Sequence, residues 1–159
     1  MIQEILSQEF ELLKKDLILL YEKKGMRSSG KWADSLTVTV RSEIGKYTAV
    51  LTGLDYSVQL EVGRKAGKFP PLEDIRKWII EKGVFAEALR SITISSLAFL
   101  IARKIANQGW KRERFGGVNL ISEVVTDERL QKIIDEVGTT EAVRASNEIL
   151  KLINELQEA

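Results

Sequence analysis

Two short segments of this 159-residue chain gather the side chains best suited to holding an anion. One runs Arg64-Lys65-Ala66-Gly67-Lys68-Phe69. The other runs Trp110-Lys111-Arg112-Glu113-Arg114-Phe115-Gly116-Gly117, close behind Arg103 and Lys104. A glycine-rich basic loop ahead of a helix offers backbone amides, cationic side chains and a favourable helix dipole to phosphate. The first segment lacks the Gly-Lys-Ser/Thr ending of a nucleotide-binding loop, however, and Pro70-Pro71 takes two amides out of any cradle, so a nucleotide site is not expected. In the second segment the interleaved aromatics would stack on bases while the cations neutralise phosphates. The alternative is a loop whose aromatics tuck into a neighbouring subunit while its arginines pair with carboxylates. It is favoured because stacking platforms belong to sheet faces and grooves rather than to a Gly-Gly loop.

The chain contains no histidine and no cysteine. Disulfides, thiolate metal sites and thiol nucleophiles are thereby excluded. The commonest general base and zinc ligand is missing as well. Catalysis by carboxylates or lysine remains chemically open, but no pair of acids stands at a spacing that demands a shared site. The expectation is a non-enzyme with no cofactor and no metal.

A composition of 44% hydrophobic and 30% charged residues points to a folded protein of ordinary single-domain size rather than a disordered one. The longest apolar run, Leu97 to Ala102, is far shorter than the roughly 20 residues that span a bilayer. Glu4, Glu9 and Glu11 do not suit the basic and then apolar layout of a secretory signal. Net charge is +1, unevenly spread. Arg103 to Gly116 carries five basic residues against one acid, whereas Ser122 to Ala159 carries four against nine. A basic middle and an acidic end suit head-to-tail packing of identical subunits, and equally suit two solvated faces that never meet.

Periodicity outlines the elements that hold these segments. Ile2, Leu6, Phe10, Leu13, Leu17 and Leu20 predict a helix from Met1 to about Lys24, ended by Gly25. After Trp32 the period falls to two. Leu36, Val38 and Val40, then Tyr47, Ala49 and Leu51, predict a β-hairpin turning at Gly45. Residues 55–62 read as a third strand or a short helix, with the helix favoured. Pro70-Pro71 is a stiff lead-in to a helix from Leu72 to Lys82, with Gly83 as its cap and Trp78 as a core anchor. A second central helix is expected from about Arg90 to Gln108. Two further helices close the chain, one capped by Thr126 and stopped by Gly138, the other starting at Thr139 or Thr140 and carrying Val143, Ile149, Leu150, Ile153 and Leu156. The fold class is α+β: N-terminal helix, small antiparallel sheet with hairpin, two central helices and a C-terminal helical extension.

Tyr56, Glu61-Val62-Gly63-Arg64, Gly67-Lys68-Phe69-Pro70-Pro71, Trp78, Lys82-Gly83, Ile101-Ala102-Arg103-Lys104-Ile105 and Gly109-Trp110 follow one another in an order that resembles the tail-completion or neck proteins of tailed bacteriophages. The resemblance covers roughly Ser35 to Gly109. Members of that family usually continue into a Gly-Thr, proline-bearing stretch, whereas this chain has Gly109-Trp110-Lys111-Arg112 and no proline. The resemblance implies a domain over 1–110 with a loop and helical extension over 111–159. It further implies a structural virion protein that forms a homo-oligomeric ring joining head to tail, assembled in the bacterial host cytoplasm. Its partners would be its own copies, other neck, portal or tail proteins, and non-specifically genomic DNA, but no membrane. On this reading Arg64, Lys65, Lys68, Phe69, Arg103, Lys104, Trp110, Lys111, Arg112, Arg114 and Phe115 face an interface or the channel, and the segment from Thr126 onward is an assembly arm outside the core. The alternative is a nucleic-acid-binding protein that uses the same basic loops.

Overall fold

The computed structural model describes residues 1–84, 91–113 and 117–157. Helix α1 (Ile2–Lys23) is followed by a short α2 (Lys31–Ser35), strands β1 (Thr37–Glu43) and β2 (Lys46–Thr52), α3 (Ser57–Val62), α4 (Leu72–Lys82), α5 (Ile94–Gln108) and α6 (Asp127–Gln157). This is the expected mixed α+β class, with an N-terminal helix, an antiparallel hairpin, two central helices and a helical C-terminus. Residues 55–62 resolve to the favoured helix α3. The chain forms two compact units interleaved in sequence, one of residues 16–36 and 53–124, the other of residues 1–15, 37–52 and 125–159.

The first unit is built around aromatic and small residues. Gly25, at φ 62°, ends α1 and lets the chain turn back, which brings Trp32 on α2 against Tyr21 with ring centroids 4.7 Å apart. Trp32 is almost wholly buried, and its indole N–H donates to Ser57 Oγ at 2.8 Å. A buried tryptophan needs that partner. Helices α4 and α5 pack together, and Ile79, Ala98 and Ala102 have no exposure at all. The two alanines let the helices approach closely. Trp78, expected in the core, is instead 39% exposed, while its neighbour Ile79 takes the buried position. Adjacent helix positions lie about 100° apart, so α4 buries one and turns the other outward.

Capping follows the sequence closely. Gly83 is left-handed (φ 65°, ψ 21°) behind α4, and Pro71 precedes its first residue. The α5 helix starts at Ile94 because Thr93 Oγ1 accepts from the Ser96 N–H, three residues on. The expected start near Arg90 lies outside the described residues.

In the second unit, β1 and β2 pair in antiparallel register from Thr37↔Thr52 to Glu43↔Lys46, leaving a two-residue loop in which Gly45 has φ 72°. Val38, Val40, Ala49 and Leu51 share a half-buried face, whereas the opposite face and the tip residue Ile44 are exposed. Ile2, Leu13 and Ile133 are buried. Helix α6 departs from expectation. Gly138 does not stop it, and one helix of 31 residues runs through. A glycine in a helix interior costs only about 1 kcal/mol relative to alanine, no proline follows, and Thr139 Oγ1 bonds the Asp135 carbonyl at 2.8 Å instead of capping a new helix. Thr126 does cap the start, accepting from the Arg129 N–H at 3.2 Å. With Ile133 buried, the beginning of α6 is packed rather than a free arm. Its distal half exposes Val143, Ile149, Leu150 and Ile153.

Candidate functional site

A pair of glycines holds the basic loop in place. Arg64 and Trp110 form an isolated antiparallel bridge: each N–H donates to the other's carbonyl, at 2.8 and 2.7 Å. Gly63 (φ 74°, ψ −160°) and Gly109 (φ 73°, ψ −166°) flank it in backbone conformations that side chains resist. A Cβ on Gly63 would fall well inside 3.0 Å of the Trp110 carbonyl oxygen, and one on Gly109 would collide with the Arg64 carbonyl. Glu61 adds a second tie, since its carboxylate accepts the Ile121 N–H at 2.6 Å and the Ser122 N–H at 3.2 Å while its carbonyl accepts from Asn119 at 2.7 Å. The Glu61-Val62-Gly63-Arg64 motif is thus a knot joining α3 to the chain on either side of residue 115.

From this knot the loop runs back along α5. The Gly67 N–H donates to the Ala106 carbonyl at 2.7 Å, and Phe69 meets Phe99 with ring centroids 5.8 Å apart. Phe99, Arg103 and Ala106 are spaced four and three residues apart and therefore share one face of α5, across which the loop lies. Lys65, Lys68, Phe69, Phe99, Leu100, Arg103 and Lys104 are all exposed. Among the described residues, none of these four cations has a carboxylate partner. Arg64 is half-buried and spans its own loop, donating to the Lys68 carbonyl at 3.3 Å. The result is an aromatic and basic face fixed by backbone bonds at two points.

The second basic segment divides. Trp110 is half-buried in the bridge, and Lys111 is exposed. Arg112 turns inward, donating to the Gly25 carbonyl at 3.1 Å, where Lys82 Nζ also donates at 2.5 Å. Two cations thus meet at one carbonyl just past the end of α1, where positive charge suits the negative end of its dipole. Burial lowers the pKa of both, with Arg112 adding to the shift on Lys82 and Tyr21 opposing that on Arg112. Burial likewise raises Tyr21, against the Ser28 backbone hydrogen bond and the charges of Arg27 and Arg112. Lys24 closes the same region by donating to the Val118 carbonyl at 2.7 Å and pairing with Glu123. Arg114 and Phe115 lie outside the described residues.

Of the residues expected at an interface or channel, Lys65, Lys68, Phe69, Arg103, Lys104 and Lys111 are exposed. The sequence alone singles out neither Phe99 and Leu100 nor the anchoring roles of Glu61, Lys82 and Trp32. The spacing Phe99-Arg103 at i, i+4 was the available signal for the first of these.

In the unit holding α6, an open depression of about 720 Å³ is lined by Glu9, Glu128 and Glu136 with Arg129 and Lys132, charges of both signs. Among the described residues no helix is long and apolar enough to cross a membrane, and no cluster of three or more acidic side chains could hold a metal ion. No protein-family description, curated protein or solved structure matches the chain.

Proposed function

We propose that the chain is a structural subunit of a tailed-bacteriophage virion, a neck or tail-completion protein that closes with its own copies into a ring between head and tail around the DNA channel. The observation carrying this reading is the hairpin. A two-stranded sheet is marginal in water on its own, and here, among the described residues, no further strand pairs with either edge. Unpaired N–H and C=O groups on such edges are templates for a neighbour. The sequence resemblance over Ser35 to Gly109 supplies the neighbour's identity as a second subunit, and a contact between unlike patches generates a ring when its rotation closes. The partners on either side are then portal and tail proteins, the location is the virion, and the role is assembly without chemistry.

A second reading, a nucleic-acid-binding protein, draws on the four exposed cations Lys65, Lys68, Arg103 and Lys104. Negative-stain imaging of the purified full chain separates the two. Closed particles with a central opening are expected, with retention on duplex DNA weak and no different between channel-length and random fragments. Single chains that bind DNA with a steep salt dependence, the mark of released counterions, would replace the ring with the second reading.

A further inference from the structure

The distal half of α6 has two unlike sides. Glu141, Arg144, Glu148 and Lys151 recur at three- and four-residue spacing and share one side, on which Arg144 pairs with Glu141 at 3.2 Å and Glu148 at 3.9 Å. Ile149 and Ile153 mark the other side, and with Val143 and Leu150 they are exposed, Ile149 to 57%. On this half Arg144 lies between two carboxylates, and the described apolar residues opposite it are uncovered. On the other compact unit the reverse holds: Phe69, Phe99 and Leu100 are exposed beside Lys68, Arg103 and Lys104, which have no carboxylate partner among the described residues.

We propose that the distal half of α6 in one copy of this chain lies on the Phe69–Phe99 and Arg103 face of the next copy. Three observations select this occupant. Apolar surface meets apolar surface, and each is exposed in the single chain. Charge is complementary, because the segment from Glu141 to Ala159 carries four acids against two bases while the receiving face is basic. Pairing α6 with another α6 would set two acidic helices together, and duplex DNA on the basic face would neutralise the cations but leave Ile149 and Ile153 in water. Extent also matches. From Val143 to Ile153 is about 15 Å of helix, close to the three turns that Phe99 to Gln108 offers. The donor and acceptor patches are different, so the contact is head-to-tail and propagates around a ring. This rests on the homo-oligomeric reading above and names the surfaces that would carry it.

The test uses the absence of cysteine. Phe99→Cys and Leu150→Cys are made separately in the full chain, both at exposed positions, and joined by a short bis-maleimide either alone or mixed in equal amounts. A cross-linked dimer forming in the mixture, at least tenfold more than in either variant alone, is the expected result. Leu150→Cys cross-linking to itself as readily would show α6 pairing with α6 and overturn the proposal. No cross-link in the mixture while the assembly keeps its mass would overturn it too, leaving the ring reading standing. Wild-type chains that stay at 18.0 kDa at every concentration would remove both. In a second arm, Lys68→Glu with Arg103→Glu is expected to weaken assembly at least tenfold, with circular dichroism unchanged. If those variants lose DNA retention while the assembled mass is unaltered, the face belongs to nucleic acid and the proposal fails.

Discussion

Gly63→Ala removes no contact and adds a single methyl group, yet the structure gives it a large cost. Gly63 sits at φ 74° and ψ −160°, a region essentially restricted to glycine, where a side chain costs about 1–3 kcal/mol. The new Cβ also falls well inside 3.0 Å of the Trp110 carbonyl oxygen and 3.2 Å from Lys111 Cγ, so the strands of the bridge must part. That sacrifices two hydrogen bonds, at 2.8 and 2.7 Å, each contributing about 0.5–1.5 kcal/mol net. Together the loss is about 2–6 kcal/mol. A midpoint of about 4 kcal/mol lowers the melting temperature of a chain this size by about 8–16 °C. Gly83→Ala is the matched control: it is also left-handed, but nothing lies within 4 Å of a Cβ there, so only backbone strain of about 1–2 kcal/mol applies. Thermal denaturation followed by circular dichroism compares the two. If Gly63→Ala costs no more than Gly83→Ala, the glycine pair does not clamp the loop and the origin assigned to the Glu61-Val62-Gly63-Arg64 motif is wrong.

Gly138→Ala should go the other way, stabilising α6 by about 0.5–1 kcal/mol, because the glycine is inside a helix and a Cβ meets nothing within 4 Å; a loss of stability in urea unfolding would mean the helix is not continuous there. Glu61→Ala should cost about 1.5–3 kcal/mol by leaving the Ile121 and Ser122 amides without their acceptor, and a change under about 0.5 kcal/mol would contradict the tie. Tyr21 has a pKa raised above 10.0, so the folded chain keeps this proton where the unfolded chain releases it. Its stabilising share is present below pH 10.0 and is lost as pH rises through the folded value, so Tyr21→Phe should flatten the alkaline fall in stability. Lys82, lowered from 10.5, acts in the opposite sense in both proteins and drops out of the comparison.

What the sequence made legible was local. Gly25, Gly45 and Gly83 stop or turn the chain where their conformational freedom suggested, Thr126 caps α6, and the hairpin register follows the period-two pattern of Val38, Val40, Ala49 and Leu51. What it hid was long-range. Trp32 and Trp78 look alike in sequence, and only the turn at Gly25 and the rotation of α4 decide that the first is buried and the second exposed. Gly138 reads as a stop because punctuation by glycine is strong at helix ends and weak inside a helix, and no local signal distinguishes the two cases. The basic segments are plain in the sequence, but nothing local announces that the carbonyl of Gly25 draws Arg112 inward, a pairing across 87 residues.

We propose that the chain completes its structure against its own copies. Mass measurement of the full chain over a thousandfold range of concentration tests it most directly. A discrete closed assembly at a fixed multiple of 18.0 kDa, replacing the single chain as concentration rises, is the expected result. A single chain of 18.0 kDa throughout, with its hairpin edge amides exchanging no faster than those of a protected sheet, would contradict it.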